Sequence, residues 1–272
     1  PECAELNYAF GNGGHFAGNQ IAWFFDPASE GYVGGLKSIA PAFAGHSYFI
    51  NDSDDQMVRV RQRLRRAIEG SATPLSFWMS EYCILSNNAL RNESRGRRTS
   101  AIDCAILMAK VIHADLTVAN AVTWQFWTAM SPNTRSDRNT RYDLIALDLQ
   151  RQTGVPTKLL WALGHYSRFV RPGMQRIGVE AVGPVVGGEP LHDVLVSAYA
   201  TEDNAKLVVV AVNRSLDDQP LRLEIAGAGD VEAPFVPYVT TADPETNLRR
   251  GEEVAADAIT LPARSIVTLV RE

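Results

Sequence analysis

The sequence has few cysteines, no long hydrophobic run and no excess of positive charge. Its three cysteines, Cys3, Cys83 and Cys104, follow no CxxC spacing and are too scattered for a metal site or a disulfide framework. No stretch approaches the roughly twenty apolar residues that span a bilayer, so we expect no membrane insertion. A net charge of −5 provides no general field that attracts nucleic acids. These absences argue against a metalloprotein, a membrane protein and a nucleic-acid-binding protein.

The composition is that of a globular protein whose first part is of the α/β class. Of the 272 residues, 46% are hydrophobic and 21% are charged, which suits one large domain or two moderate ones. Up to about residue 172, short apolar runs alternate with helical patterns. The predicted strands are 38–50, 74–85 and 121–130, and the predicted helices are 52–70, 100–120 and 154–170. This alternation predicts a parallel sheet wrapped by helices.

The helix boundaries follow from local signals. The segment 52–70 opens with Asp and Ser as capping residues, ends at Gly70, and places four apolar residues on one face: Met57, Val60, Leu64 and Ile68. Thr99 or Ser100 caps the second helix. We expect Pro156 in the first turn of the third helix, a position that tolerates proline.

After residue 172 the pattern changes to short strands rich in β-branched residues. Examples are "VLVSAYAT", "KLVVVAVNRS" and "SIVTLVRE", separated by turn clusters such as 216–220 and 227–230. This spacing predicts an antiparallel β-sandwich of about 100 residues.

Glu81 is an acidic residue inside the apolar run "FWMSEYCIL". A buried carboxylate is costly unless it has partners, so its presence near the end of a predicted strand needs a reason. Chemistry on parallel sheets takes place at the C-terminal ends of the strands. Three such ends bring polar and aromatic side chains together: His46, Tyr48, Glu81, Tyr82, Trp124, Gln125 and Trp127. Aromatic faces and polar tips of this kind suit a sugar ring, and the carboxylate suits attack on an anomeric carbon.

Each of these residues also has a structural interpretation when it is taken alone. A glutamate at a strand end is more often a capping or salt-bridging group, and His46 alone is more often a structural histidine. Trp124 and Trp127 alone are more often part of a hydrophobic core. Their joint position at successive strand ends favours the functional interpretation.

Four segments resemble one known family when they are taken in order. "HSY" (46–48), "SEY" (80–82), "WQFW" (124–127) and "LGHYSRFVRPGMQRIGV" (163–179) are similar to the later part of the catalytic barrel of glycoside hydrolase family 30 and its passage into a side β-sandwich. The resemblance implies a retaining hydrolase of β-linked glycans or glycosides, with Glu81 as nucleophile and no cofactor. It places His46, Tyr48 and Trp127 in the sugar pocket, with Tyr82, Trp124 and Gln125 beside them. The segments "WMSEYC" and "GHSYF" are most similar to the galactanase-like bacterial members of this family. The resemblance to the family also implies a secreted or periplasmic protein.

The sequence departs from the family pattern in its second carboxyl group. Retaining enzymes need an acid/base about 5–5.5 Å from the nucleophile, and in this family an Asn-Glu pair on the fourth barrel strand supplies it. Here Asn-Glu occurs only at Asn92-Glu93, in an Arg-rich segment that we expect to be a surface loop. Glu2 resembles the end of the fifth strand. We therefore expect the chain to begin near strand five and to lack the N-terminal half of the barrel.

The predicted fold is α/β plus all-β: the C-terminal part of a (β/α)8 barrel in residues 1–172, followed by a β-sandwich in residues 173–272. The predicted function is that of a retaining β-glycan hydrolase, best matched to an endo-β-1,6-galactanase. Alternatives are a family member that acts on glucuronoxylan or glucosylceramide, a non-catalytic carbohydrate-binding protein, and a structural sandwich with a degenerate α/β domain.

Overall fold

The computed structural model of the protein describes residues 1–10, 18–131, 139–180, 191–226 and 233–272. These residues form two compact units. Unit 1 comprises Pro1–Asn92 and Val111–Ala129, and unit 2 comprises Glu93–Lys110 and Met130–Glu272. One long helix contributes to both units, so the predicted boundary between residues 172 and 173 stays a prediction. Within the described part of the chain, no helix combines the length and apolar character needed to cross a membrane.

Unit 1 contains a four-stranded parallel sheet, as the sequence predicts. Its strands lie in the order β1-β2-β3-β4 and comprise β1 (Glu2–Cys3), β2 (Ala42–His46), β3 (Ser76–Glu81) and β4 (Ala121–Trp124). The helices between these strands are α1 (Gln20–Phe25), α2 (Asp54–Glu69), α3 (Asn87–Glu93) and α4 (Ala101–Thr117). Each neighbouring pair of strands is parallel, which requires crossover connections of this kind.

Helix α2 shows how the local sequence determines an element of the barrel segment. The hydroxyl of Ser53 accepts a hydrogen bond from the backbone N–H of Gln56 at 3.1 Å, which caps the first turn. Met57, Val60 and Leu64 are fully or almost fully buried, which confirms these three residues of the predicted apolar face, whereas Ile68, near the end of the helix, is only partly buried. The structure also buries Arg61 completely on this helix, which the apolar pattern does not predict.

Every predicted strand and helix of the first 172 residues is shorter in the structure, and two of the predicted segments are divided differently. The run 121–130 is a strand only over Ala121–Trp124, and a second strand begins at β5 (Met130–Ser131). Pro156 was expected in a helix, but it ends β7 (Thr153–Pro156), which pairs antiparallel with β6 (Ile145–Asp148). Helix α6 (Lys158–Ser167) starts after it, because the Thr157 hydroxyl accepts from the Leu159 N–H and caps the first turn.

Unit 2 contains the antiparallel β-sheets that the second half of the sequence predicts. The six-stranded sheet has the order β13-β12-β15-β10-β9-β8, and a two-stranded sheet pairs β11 with β14. The strands are β8 (Gln175–Ile177), β9 (Val194–Ala200), β10 (Leu207–Asn213), β11 (Gln219–Leu221), β12 (Val236–Thr240), β13 (Arg249–Arg250), β14 (Ile259–Leu261) and β15 (Ser265–Arg271). Residues from both sheets share one buried core that includes Val209, Phe235 and Leu261. This arrangement confirms a β-sandwich. The remaining described elements of unit 2 are helix α5 (Asn139–Tyr142) and the sheet β5-β6-β7.

Helix α6 is joined to the sandwich by His165, which is completely buried. Its Nδ1 lies 2.8 Å from the hydroxyl of Thr268, and its Nε2 lies 2.9 Å from the hydroxyl of Thr240. The Thr268 hydroxyl donates to the His165 carbonyl oxygen, and the Thr240 hydroxyl accepts from the Leu248 N–H. These partners are all satisfied when Nδ1 donates and Nε2 accepts, which assigns a neutral imidazole. Burial lowers the pKa of His165 to about 3.

We expect this histidine to make unit 2 sensitive to acid. The unfolded chain binds a proton at His165 below its ordinary pKa of 6.5, whereas the folded chain does so only below about 3. Between these values the unfolded state holds more protons, so stability falls as the pH drops, by a few kcal/mol in all. Urea unfolding from pH 7 to pH 4 measures this slope. His165→Gln should flatten it, and His192→Gln, a change at a half-buried histidine, should not. An unchanged slope in His165→Gln would contradict the assignment.

Candidate active site

The C-terminal ends of β2, β3 and β4 meet at one edge of the parallel sheet. His46 at the end of β2 lies in register with Glu81 at the end of β3, and Met79 of β3 lies in register with Trp124 at the end of β4. A β-bulge between β2 and β3 makes Ser80 an extra residue of β3. Because successive side chains of a strand point to opposite faces, the bulge turns Glu81 to the face that His46 occupies. The predicted convergence of these strand ends is therefore a feature of the structure.

The Glu81 carboxylate accepts one hydrogen bond and lies close to the His46 ring. The hydroxyl of Tyr48 donates to Glu81 Oε1 at 3.0 Å, and Nδ1 of His46 lies 3.6 Å from the same oxygen. Burial raises the pKa of Tyr48 well above its ordinary range, with further contributions from Cys83 and Glu81. The phenol therefore remains protonated and keeps its proton available for the carboxylate. The Glu81 side chain is 36% exposed, so a ligand can reach it.

A second carboxylate, Glu2 of β1, contacts the other side of the His46 ring. Nε2 of His46 lies 3.0 Å from Glu2 Oε1, and the Ser80 hydroxyl donates to the same oxygen at 2.6 Å. The hydrogen bonds from Ser80 and His46 lower the pKa of Glu2. His46 thus lies between two carboxylates, Glu2 and Glu81. The sequence places Glu2 at a strand end but gives no signal for this contact.

Aromatic rings form a continuous row across the three strand ends. Tyr48 and Tyr82 stack with ring centroids 6.0 Å apart, Tyr82 and Trp124 lie 5.9 Å apart, and Trp124 and Phe126 stack at 6.4 Å. His46 meets Tyr48 edge-on at 5.6 Å. Tyr82 is 3% exposed, so it presents only a small edge to a ligand and mainly supports its neighbours. Phe126 also belongs to this row, although it is not among the site residues predicted from the sequence.

Gln125 and Trp127 follow β4 and are held by their backbone. The N–H of Gln125 donates to the Met79 carbonyl, and the N–H of Trp127 donates to the Tyr82 carbonyl, both at 3.0 Å. The pairing of β3 with β4 thereby continues past Glu81. Gln125 is exposed and Trp127 is 51% exposed, so both present side chains to solvent beside the strand ends. Their predicted role in substrate binding stays a prediction.

A buried aspartate on α4, Asp115, fixes two of these strand ends. Its Oδ1 accepts from Arg61 Nε at 2.7 Å and from the Ser47 hydroxyl at 2.8 Å, and its Oδ2 accepts from the Trp124 indole N–H at 2.9 Å. Asp115 and Arg61 are both completely buried, and Arg61 also donates to Asn51. One carboxylate thus sets the orientation of the Trp124 indole and of the turn after β2. Sequence periodicity contains no signal for this long-range pair.

Glu93 is buried, so the prediction that it lies in a surface loop is wrong. It is the last residue of α3 and is 2% exposed. Lys110 lies 3.0 Å, Arg264 2.9 Å and Arg214 3.3 Å from its carboxylate oxygens. Burial alone would raise the pKa of Glu93, but these three cations lower it to about 2. A carboxylate held so firmly ionised has no proton to give to a leaving group, so Glu93 does not suit the acid/base role.

Nowhere among the described residues do three or more His, Cys, Asp or Glu side chains form a group that could hold a metal ion. The chemical groups at the strand ends are carboxylates, an imidazole, a phenol and indoles.

Two family models match the chain. The family model of O-Glycosyl hydrolase family 30 matches residues 1–140, and that of the Glycosyl hydrolase family 30 beta sandwich domain matches residues 173–269. The first match alone covers more than half of the chain. The chain belongs to glycoside hydrolase family 30.

Solved structures with similar folds include other family 30 proteins. A conserved exported protein from Bacteroides fragilis is 29% identical with a TM-score of 0.83, over 98% of this chain and 54% of that one. A family 30 endoxylanase from Clostridium papyrosolvens C71 is 22% identical with a TM-score of 0.57, over 84% and 48%. A family 30 subfamily 8 xylanase from Clostridium acetobutylicum is 19% identical with a TM-score of 0.55, over 85% and 48%. This family 30 chain spans about half the length of the structures that it matches.

Proposed function

We propose that this chain carries the nucleophile of a retaining glycoside hydrolase that acts on β-linked glycans. The observation that carries the proposal is the position of Glu81, which ends a parallel strand, accepts a hydrogen bond from Tyr48, and is adjacent to the aromatic row. Membership in family 30 supports a glycosidase activity.

The proposed hydrolysis of the glycosidic bond takes place in two steps. In the first, a carboxylate oxygen of Glu81 attacks the anomeric carbon, the glycosidic C–O bond breaks, and an acid protonates the departing oxygen. In the second, the same acid, now a base, takes a proton from water, whose oxygen attacks the anomeric carbon and releases Glu81. Tyr48 holds the Glu81 carboxylate in place for both steps through its hydrogen bond to Oε1, and the His46 ring lies beside the same oxygen.

We infer that the acid/base carboxyl group comes from sequence outside these 272 residues. A general acid needs a raised pKa so that it is protonated near neutral pH. Glu2 and Glu93 both have a lowered pKa, so neither of them suits that role. The family resemblance implies an acid/base on an earlier barrel strand, which supports this inference.

The proposed substrate is a β-1,6-galactan, from the resemblance of the segments around His46 and Glu81 to galactanase-like members. Glucuronoxylan and glucosylceramide are the other substrate classes to test, and two of the similar structures are xylanases. We propose a secreted or periplasmic location, in agreement with the exported protein from Bacteroides fragilis. The alternative function is non-catalytic carbohydrate binding, in which the protein binds these glycans without cleaving them.

We expect the full-length gene product to release reducing ends from β-1,6-galactan, and the 272-residue chain alone to do so at least about 10²–10⁴-fold more slowly. General acid–base assistance contributes a factor of that size, and the isolated chain lacks it in this proposal. Reducing-end assays on the three glycan classes measure both proteins, with circular dichroism as the control for folding. Equal rates would show that the acid/base lies within this chain. Binding without cleavage by the full-length protein would favour the non-catalytic alternative.

A further inference from the structure

Phe49 is an exposed aromatic residue in a strained backbone conformation directly after Tyr48. Its φ is +57°, in the left-handed region that bulky residues rarely adopt, and the residue is 54% exposed. Its neighbours in sequence are buried: Tyr48 is 8% exposed and Ile50 is fully buried. The left-handed residue thus turns one ring outwards between two side chains that point inwards.

The turn that holds Phe49 is closed by hydrogen bonds from its own segment. The Gln56 side-chain amide donates to the Phe49 carbonyl at 3.3 Å, and the Asn51 side-chain amide donates to the Ser47 carbonyl. Asn51 is itself held by Arg61, whose Nη1 donates to Asn51 Oδ1 at 3.1 Å. Backbone and buried polar partners therefore maintain the conformation, and the exposed Phe49 ring is not needed for it.

Glycine or asparagine would adopt this φ with less strain than phenylalanine does. The ring also exposes apolar surface, which gives the folded state no stabilisation from burial. Strained residues of this kind cluster at functional sites. The ring centroid of Phe49 lies 6.1 Å from that of Tyr48, whose hydroxyl contacts Glu81 at 3.0 Å. The strained, exposed ring is therefore one aromatic residue away from the proposed nucleophile.

We propose that Phe49 is a stacking platform for a second sugar ring, adjacent to the one that Glu81 attacks. Tyr48 is the inner residue, whereas Phe49 is exposed and lies beyond the end of β2, so it meets a part of the glycan further from the reacting carbon. The apolar face of a pyranose ring stacks well on an exposed aromatic face. The ligand is thus an oligosaccharide of at least two β-linked pyranose units. This inference rests on the proposed function and adds a second subsite to it.

The test compares affinity and stability in the same variant. In the full-length gene product, Glu81→Gln prevents cleavage, and calorimetry measures binding of the mono-, di- and trisaccharide of whichever of the three glycans the parent hydrolyses. If the parent cleaves none of them, binding is measured with galactose and with the β-1,6-linked di- and trisaccharides of galactose. Adding Phe49→Asn should weaken di- and trisaccharide binding by about tenfold and leave the monosaccharide unchanged. The urea midpoint should stay the same or rise, since asparagine relieves strain.

Leu216→Asn is the control, because it changes an apolar side chain that is 48% exposed in a turn of the sandwich. It should leave all three affinities unchanged. Unchanged trisaccharide binding in Phe49→Asn, or a lower urea midpoint, would overturn the Phe49 proposal while the proposed function stands. If the parent protein neither hydrolyses any of the glycans nor binds the β-1,6-galactose oligosaccharides, the proposed function is wrong, and the Phe49 subsite is wrong with it.

Discussion

Replacing Glu81 with glutamine in the full-length gene product should lower glycan hydrolysis by about 10⁴-fold or more, as the loss of a catalytic nucleophile does in other enzymes. Glutamine has the shape of glutamate but no negative charge, and its amide oxygen is a poor nucleophile towards an anomeric carbon. Tyr48 can still donate to that oxygen, so the 3.0 Å contact and the local fold should be preserved. Initial rates of reducing-end release measure the effect.

The matched control is Glu69→Gln, a change of the same chemistry on the exposed end of α2. The Glu69 side chain is 57% exposed and pairs with Arg65 one helical turn away, so it should affect neither activity nor folding. Hydrolysis by Glu81→Gln within tenfold of the parent rate would show that Glu81 is not the nucleophile. The non-catalytic interpretation of the aromatic row would then gain support.

Replacing Glu93 with glutamine should lower the free energy of unfolding of unit 2 by about 3–5 kcal/mol, because it breaks a buried ionic cluster by removing one partner. Glu93 supplies the negative charge that Lys110, Arg214 and Arg264 share. Since these cations hold the pKa of Glu93 at about 2, below its ordinary 4.5, the unfolded chain takes up the proton first as the pH falls. Its stabilising effect is therefore present above pH 4.5 and is lost as the pH drops towards 2. Urea unfolding at pH 7 measures the main effect.

An exposed ion pair in the same unit provides the control for Glu93. Asp193 contacts Arg95, and about half of each side chain is exposed to solvent, 52% for Asp193 and 41% for Arg95. Asp193→Asn should therefore change the free energy of unfolding by at most about 1 kcal/mol. Similar losses in Glu93→Gln and Asp193→Asn would contradict the view that burial makes the Glu93 cluster important for stability.

The parts of the fold that the sequence predicts are those that depend on local patterns. The apolar face of α2 and its Ser53 cap follow from residues within one helix. The meeting of His46, Glu81 and Trp124 follows from strand order, because the C-terminal ends of neighbouring parallel strands share one edge. Elements of this kind need no knowledge of distant partners.

The errors arise where distant residues decide the structure. Glu93 resembles a surface residue because its neighbours in sequence are arginines and polar residues. Its partners Arg214 and Arg264 are 121 and 171 residues away, and only the fold brings them together. Arg61 and Asp115 are 54 residues apart and pair inside unit 1 for the same reason. Pro156 was assigned to a helix because proline suits a first turn, but pairing of β7 with β6 places it in a strand.

Trapping the covalent glycosyl-enzyme is the most direct measurement of whether Glu81 is the nucleophile. A 2-fluoro sugar with an activated leaving group needs little help from an acid, and it slows the second step so that the glycosyl-enzyme accumulates. After incubation of the full-length gene product with such a β-glycoside, intact-mass measurement followed by peptide mapping locates the adduct. We expect one added glycosyl group on the peptide that contains Glu81, and no adduct in Glu81→Gln. An adduct on another carboxylate, or equal labelling of Glu81→Gln, would show that Glu81 is not the nucleophile.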